Sequence, residues 1–401
     1  MRLWLILSLA AGVAAGSDDP IAEIRRRVAE RTARIPNYTC LETIERNWYA
    51  GEDADSLVRD RMRFEVSVIE GQEQFAWPGG GPLDIRERQI ILGRGLTKTG
   101  DFAGFLSAIF APYAATYTRA DEQAPGARRT IRYDYRVPQE KSRYTITQDG
   151  VTAAVGFHGF FRVDPETLDL TRIEMDADDI PRAFKKRSVK IAIDYGLVAV
   201  GTGSFLLPRH TDVGMVSDRK FENRTTTRFS ECRQFLAESS ISFEEKSVNQ
   251  AVKPTEARAA LAAGRILEAA LRTPILRKTA ATGDMVQAEL RTEIKTGEGA
   301  VVPKGAIVEG RIVLLEARGS RRPADALAVR FTRVRIGTSE VGLRARMAGC
   351  GTLYNGGFVG PRWTGGARYI KSQAMMLFLG GFVEIPPGTA LKLETEAVPS
   401  Q

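Results

Sequence analysis

Histidine and cysteine, the residues that most often bind transition metals, are scarce in this chain. It has two histidines, His158 and His210, so a zinc site of three histidines is impossible. Neither an HExxH motif nor a paired CxxC motif occurs. Both histidines stand in or at the start of segments with strand-like alternation, which is typical of a histidine with a structural role. We therefore expect neither a metal ion nor a catalytic histidine.

Motifs for nucleophiles and phosphate groups are also missing. No G-x-S-x-G occurs, and Ser204 within Gly201–Phe205 lacks the closing glycine of that motif. The acidic stretch 174–179 offers several oxygen ligands, but it lacks the glycine and the distal glutamate of a calcium loop. A solvated strand end is the simpler interpretation of that stretch. The sequence predicts no catalytic residue and no cofactor, so we expect that the protein is not an enzyme.

The first sixteen residues have the pattern of a secretory signal peptide. Arg2 supplies the positive charge, Leu3–Val13 the apolar run, and Val13–Gly16 a cleavage site of small residues. The run is shorter than the roughly 20 residues that span a bilayer, and no later stretch is longer. We expect an exported, soluble mature chain with no transmembrane span. For such a chain without a recognisable binding motif, nucleic acid is not an expected partner.

Composition indicates a globular protein with room for two domains. The 401 residues are 43% hydrophobic and 26% charged, and the formal net charge is +8. Arginine and lysine form small groups, at Arg25–Arg27, Lys185–Arg187, Arg321–Arg322, Arg344 and Arg346. These groups would attract an anionic surface such as phospholipid, or they are simply solvated faces; the sequence leaves both interpretations open.

Three cysteines, Cys40, Cys232 and Cys350, remain after the signal segment. In an oxidising compartment Cys40 and Cys232 can pair, which would leave Cys350 alone in a later region. Sequence alone does not decide the connectivity.

Polarity patterns predict a first region that is mostly antiparallel sheet. A helix is expected from Pro20 to Ile35, and Pro36 ends it. Clean alternation of apolar and polar residues follows, with short turns between the runs, as in Met62–Val68, Ile131–Val137 and Val189–Tyr195. Residues 101–113 instead carry apolar side chains at helical spacing, so we expect a helix that lies on the apolar face of the sheet.

A second β-rich region is predicted after a polar linker. Residues 246–264 are polar and then rich in alanine, which indicates a linker with a short helix. We assign residues 17–245 to the first domain and 265–401 to the second. Glycine-rich turns join the strands of the second domain. Its predicted strands are Arg265–Arg272, Met285–Ile294, Ala306–Glu316, Ala326–Ile336, Val341–Met347 and Ala390–Glu396.

An apolar sheet face opposite an apolar helix is either a solid core or the wall of a cavity for a hydrophobic ligand. Both interpretations need the same residues, so the sequence does not separate them. The candidate lining residues come from aromatic-rich apolar faces: Phe64, Val66, Trp77, Phe105, Phe110, Tyr133, Tyr135 and Phe161.

The region from Ile21 to Phe243 resembles the periplasmic outer-membrane lipoprotein carriers and the related envelope-stress sensors. The amphipathic first helix, the strand Tyr38–Arg46 and the hairpin Phe161–Glu174 carry the resemblance. It implies a half-open β-barrel, covered by helices, that binds acyl chains or a partner peptide in the periplasm. It implies no catalytic residues. The chain looks still more similar to exported proteins of soil bacteria of the Acidobacteria type.

The C-terminal part is similar to the β-barrel module of conjugation and type IV secretion outer-complex proteins. Thr273–Leu276, Gly283–Leu290, Val302–Gly310 and Ile385–Leu393 stand where that module has its strands and turns. The resemblance favours a strand after Gly264. The helical antenna and proline-rich region of secretion components are missing. We therefore expect this module to act as a binding or packing unit and not to take part in secretion.

Taken together, the sequence predicts a mainly β protein: a curved antiparallel half-barrel with covering helices, followed by a small β-barrel-like domain. The expected function is non-catalytic binding of a lipid or acyl group in the periplasm, as a carrier or sensor of the cell envelope. The alternative is a structural or interaction module that docks onto an envelope protein.

Overall fold

The architecture was obtained as a computed structural model. It describes the chain in pieces, and all structural statements below concern these residues: 20–50, 56–83, 104–120, 129–148, 151–218, 221–235, 263–295, 301–318, 324–337, 339–350, 353–354, 357–358, 367–370, 375–379 and 384–396. The predicted signal peptide and nearly all of the predicted linker 246–264 lie outside them.

Two α-helices and one face of a sheet form the first core. Helix α1 spans Ile21–Ala33, and its Ile24 and Val28 are buried. Helix α2 spans Gly104–Phe110 and lies within the predicted helical segment 101–113. Pro20 occupies the N-cap of α1, where its missing N–H is no loss because the first helical N–H groups have no intrahelical acceptor. No described helix is long and apolar enough to cross a membrane.

Several of the strands β1 to β12 follow the alternation of the sequence. In β2, for example, Met62, Phe64, Val66 and Val68 are buried while the residues between them are partly exposed. The twelve strands are β1 (Tyr38–Ala50), β2 (Ser56–Ile69), β3 (Gln72–Ala76), β4 (Thr116–Ala120), β5 (Ile131–Val137), β6 (Thr145–Gln148), β7 (Val151–Ala154), β8 (Phe157–Val163), β9 (Leu170–Ala177), β10 (Lys186–Val200), β11 (Gly203–Ser217) and β12 (Phe221–Gln234).

Ten of these strands form one antiparallel layer in the order β3-β2-β1-β12-β11-β10-β9-β8-β5-β4. Strands β6 and β7 form a separate hairpin. Both helices pack on one face of the layer, because Ile24, Val28, Leu106, Ile109 and Phe110 share a buried cluster with β5, β8, β9 and β10. The predicted half-barrel with covering helices is therefore confirmed.

The C-terminal strands close into a barrel. They are β13 (Ile266–Leu271), β14 (Ile275–Leu276), β15 (Met285–Leu290), β16 (Ile294–Lys295), β17 (Val301–Val302), β18 (Ile307–Arg318), β19 (Ala324–Ile336), β20 (Ser339–Cys350), β21 (Leu353–Tyr354), β22 (Gly357–Phe358), β23 (Ala367–Ile370), β24 (Met375–Leu379), β25 (Glu384–Ile385) and β26 (Ala390–Thr395). Six of them pair antiparallel in the closed order β13-β15-β18-β19-β20-β26, and β26 returns to β13. The preference for a strand after Gly264 is confirmed by β13.

A feature that the sequence did not predict joins the half-barrel to the barrel. Residues Glu316–Arg318 of β18 pair with Val58–Asp60 of β2, so the two parts share one continuous hydrogen-bonded sheet. Backbone hydrogen bonds from Arg63 N to Thr282 O (2.8 Å) and from Thr282 N to Arg61 O (2.9 Å) extend the contact. The two cores nevertheless remain distinct, because the barrel cluster contains only residues from Leu267 onward.

Candidate functional site

The structure divides the predicted cavity residues between two clusters. Phe110, Tyr133, Tyr135 and Phe161 belong to the cluster under α1 and α2, which we call the helix-covered cluster. Phe64, Val66 and Trp77 belong to a neighbouring cluster around Cys40, which we call the disulfide-side cluster. The side chain of Phe105 lies outside the described part of the structure. The sequence pattern identified the correct face of the sheet but not this division.

Phe161 is the centre of the helix-covered cluster. Tyr133 stacks on it with ring centroids 5.3 Å apart, and Phe110 of α2 meets it edge-on at 5.0 Å. Tyr117 approaches its ring at 6.2 Å, also edge-on. Phe161 is fully buried. Aromatic pairs at these distances are stabilising beyond the area that they bury, so in this structure aromatic rings fill the space below α2.

Helix α2 is held by a small number of contacts. Leu106, Ile109 and Phe110 are its buried apolar residues. The Arg25 guanidinium of α1 donates from Nε to the Phe110 carbonyl oxygen at 3.2 Å. The Tyr117 hydroxyl donates to the Ile109 carbonyl oxygen at 2.5 Å. Both donors therefore satisfy carbonyl groups at the C-terminal end of the helix. These carbonyl groups have no N–H donor from a following helical turn.

The disulfide-side cluster contains a disulfide between Cys40 of β1 and Cys232 of β12. Phe64 stacks on Trp77 with centroids 5.1 Å apart and meets Phe75 edge-on at 6.2 Å.

The third cysteine, Cys350, is a buried thiol in the barrel, and burial raises its pKa to about 12.

Glu42 is a buried carboxyl group that sequence reasoning missed. It lies on β1 opposite Phe64 of β2, and its side chain is 4% exposed. Its Oε2 has no hydrogen-bond partner among the described residues. Burial, and secondarily the charge of Glu73, raise the pKa of Glu42 to about 8. The available signal was a glutamate on the apolar side of an alternating run, between Cys40 and Ile44.

Further along the same face, Arg46 and Asp60 form a buried ion pair. The Arg46 guanidinium donates from Nε to Asp60 Oδ1 at 2.9 Å, and a second bond reaches Oδ2 at 2.5 Å. Arg46 also lies over the Trp48 ring, 5.1 Å from its centroid. A two-bond geometry of this kind compensates much of the desolvation of both charges. Asp60 pairs in register with Glu316 of the barrel, so the ion pair lies next to the junction of the two parts.

A cleft opens on the surface beside α2. A surface cleft of about 310 Å³ is lined by Ser107, Ala108, Ala111, Pro112, Tyr113, Ala114, Lys141 and Arg143. This is at the lower end of the volumes that small-molecule sites have. Tyr113 is 87% exposed and has a φ of +59°. Residues other than glycine and asparagine seldom adopt this left-handed conformation.

The histidines and the acidic stretch 174–179 are engaged in ion pairs and hydrogen bonds on the outer face of the sheet. His158 Nδ1 lies 2.6 Å from Asp178 Oδ1, and His210 Nδ1 lies 3.3 Å from Asp194 Oδ2. Asp176 lies 3.0 Å from Lys190 Nζ. Within the part of the chain that the structure describes, no group of three or more His, Cys, Asp and Glu side chains is placed to hold a metal ion.

Comparisons with known proteins do not place this chain in a family. No family model matches the chain, and no match to a curated protein was found. Among solved structures, the chain is similar to a LolA superfamily protein from Nitrosomonas europaea, with 11% sequence identity and a TM-score of 0.26. That likeness covers 53% of this chain and 94% of the other chain. The resemblance of the C-terminal part to secretion-complex barrels stays a prediction.

Proposed function

We propose that this protein is a non-catalytic periplasmic protein that holds a lipid or acyl group between its curved sheet and the helices α1 and α2, as a carrier or sensor in the cell envelope. The observation that carries the proposal is the helix-covered cluster. An aromatic-lined sheet face is closed there by one helix of thirteen residues and one of seven, rather than by a second sheet.

The energetics allow an acyl chain to take the place of the buried side chains of α2 on the sheet. Burial of Leu106, Ile109 and Phe110 stabilises the covered state by about 1.5–3 kcal/mol for each side chain. An acyl chain gains about 0.8 kcal/mol for each buried methylene, so a chain of roughly six to eleven methylenes offsets the loss of these three buried side chains. The aromatic rings of Tyr133 and Phe161 would then contact the ligand in place of Phe110.

The disulfide supports the proposed compartment. A bond between Cys40 and Cys232 persists in the periplasm and is reduced in a bacterial cytosol. Together with the signal-peptide pattern of the first sixteen residues, this favours export.

The test is lipid binding by the exported full-length protein. We expect mass spectrometry of the purified protein to detect a copurified lipid, and a fluorescent fatty acid to bind saturably. Phe161→Leu should weaken fatty-acid binding several-fold. Phe331→Leu, a matched change of a buried phenylalanine in the barrel, should leave it unaltered. Absence of both copurified lipid and saturable probe binding would overturn the proposal.

A second candidate is an interaction module that docks onto an envelope protein. It is favoured by apolar side chains that the C-terminal strands leave exposed, with Ile266 54% and Val301 50% exposed. Crosslinking in cells distinguishes it: a stoichiometric protein partner that is lost in Ile266→Asp, with no lipid bound, would favour this candidate.

A further inference from the structure

The cleft beside α2 combines two cations with an apolar wall. Lys141 ends the short 3₁₀-helix Gln139–Lys141, and Arg143 follows two residues later; both side chains are exposed. Ala108, Ala111 and Ala114 line the same cleft, and their side chains are methyl groups. No acidic residue is among those that line the cleft. The exposed Glu140 is adjacent in sequence but does not line it.

These two cations differ from most basic residues on the half-barrel. Arg31, Arg172 and Arg233, for example, each lie within 3.0 Å of a carboxylate oxygen. Among the residues that the structure describes, Lys141 and Arg143 have no carboxylate within 4.0 Å. Their charges are therefore available to an anion from outside the chain.

The apolar wall is continuous with the proposed lipid site. Ala108 lines the cleft and also packs against the helix-covered cluster. The exposed Tyr113 ring lies at the end of the same segment, in a backbone conformation that is unfavourable for tyrosine by about 1 kcal/mol or more. Such a ring presents apolar area to a ligand in the cleft.

From this arrangement we infer that the cleft binds the head group of an anionic membrane phospholipid. Lys141 and Arg143 contact the phosphate, and the first acyl carbons lie against the alanine methyl groups and Tyr113. The inference rests on the proposed function and narrows its ligand from any hydrophobic group to an anionic lipid. Two exposed ion pairs of ordinary strength together correspond to about a 2- to 30-fold gain in affinity.

The experiment compares two soluble lipids with the same acyl chains, dihexanoyl phosphatidic acid and dihexanoyl phosphatidylcholine, by isothermal titration calorimetry at low ionic strength. The wild-type protein should bind the phosphatidic acid about 2- to 30-fold more tightly, and added salt should reduce this preference. Lys141→Gln with Arg143→Gln should abolish the preference. Lys304→Gln with Lys392→Gln, the same charge change at exposed positions of the barrel, should retain it.

The outcomes separate the two proposals. Equal affinity of the wild-type protein for both lipids, or a preference that persists in the Lys141/Arg143 variant, overturns the inference and leaves lipid binding intact. Inorganic phosphate that binds as tightly as phosphatidic acid also overturns it, because the apolar wall then contributes nothing. If the wild-type protein binds neither of these lipids, shows no saturable binding of the fluorescent fatty acid and carries no copurified lipid, the proposed function itself fails.

Discussion

At the scale of single residues, Glu42 lies in an environment that disfavours the ionised form of its carboxyl group. A carboxyl that is nearly all buried, with one oxygen lacking a described partner, retains its proton at neutral pH because the ionised form would be poorly solvated. Tyr38, on the same face of β1, also has a raised pKa for the same reason. This end of the sheet therefore favours uncharged polar groups.

The raised pKa of Glu42 predicts the pH dependence of stability. Between about 4.5, its ordinary value, and about 8, the folded protein holds a proton that the unfolded chain releases. The free energy of unfolding should therefore fall as the pH rises through this window. Glu42→Gln, which has no titrating proton, should remove this contribution of roughly 3–5 kcal/mol between pH 4.5 and 8.5. Urea unfolding at several pH values measures it.

The control for this measurement is Glu268→Gln, at an exposed carboxyl of β13. It should leave the pH profile of the wild-type protein unchanged. A Glu42→Gln profile that parallels the wild type would show that Glu42 is ionised in the folded protein and would contradict the prediction.

At the scale of strands and helices, the contact of β5 with β8 and β9 depends on a glycine. Gly159 lies opposite Tyr135 in the β5–β8 pairing, and the Tyr135 hydroxyl donates to the Glu174 carbonyl oxygen at 2.8 Å. A Cβ on Gly159 would lie 2.0 Å from that same oxygen. Because Gly159 has no side chain, the backbone of β9 can approach β8 closely, and the ring of Tyr135 covers the space that a side chain would fill.

We therefore predict that Gly159→Ala destabilises the protein by about 1–3 kcal/mol, since backbone atoms must move to accept the methyl group. The matched variant is Gly214→Ala, at a strand glycine of β11 where a Cβ would meet no atom within 4 Å. It should be neutral or slightly stabilising, because alanine restricts the unfolded chain. Equal losses in the two variants, measured by thermal and urea unfolding, would disprove the crowding argument.

At the scale of the whole molecule, arginines of β2 tie the half-barrel to the barrel. Arg61 donates to the Lys278 carbonyl oxygen at 2.6 Å, and Arg63 donates to the Thr279 carbonyl oxygen at 3.1 Å. Arg63 also forms an ion pair with Asp284. With the β2–β18 ladder, these contacts predict that both parts unfold together.

Arg61→Ala combined with Arg63→Ala should weaken this coupling. We expect the single calorimetric transition of the wild-type protein to separate into two, because hydrogen bonds to charged donors contribute about 1.5–3 kcal/mol each. Arg233→Ala, which removes an ion pair with Glu65 inside the half-barrel, should keep one transition. Two transitions already present in the wild-type protein would refute the coupling.

Much of the fold could be predicted from local pattern. Alternation in β2, β5 and β10 assigned their buried faces correctly, because a strand places successive side chains on opposite sides whatever its neighbours are. The candidate site was predicted less well. Phe64 and Phe161 have the same pattern in sequence, yet they belong to different clusters, since strand order and curvature decide which apolar residues meet.

The sequence by itself determined the mainly β class, the apolar face of the first sheet, the two helices and the strand after Gly264, since these depend on local periodicity and turn chemistry. Only the tertiary structure decided that Cys40 meets Cys232, that Glu42 is enclosed, that β2 pairs with β18, and that a cleft opens beside α2. Each of these is a contact between residues distant in sequence. No local pattern encodes such contacts, because they follow from how a long twisted sheet curves and closes.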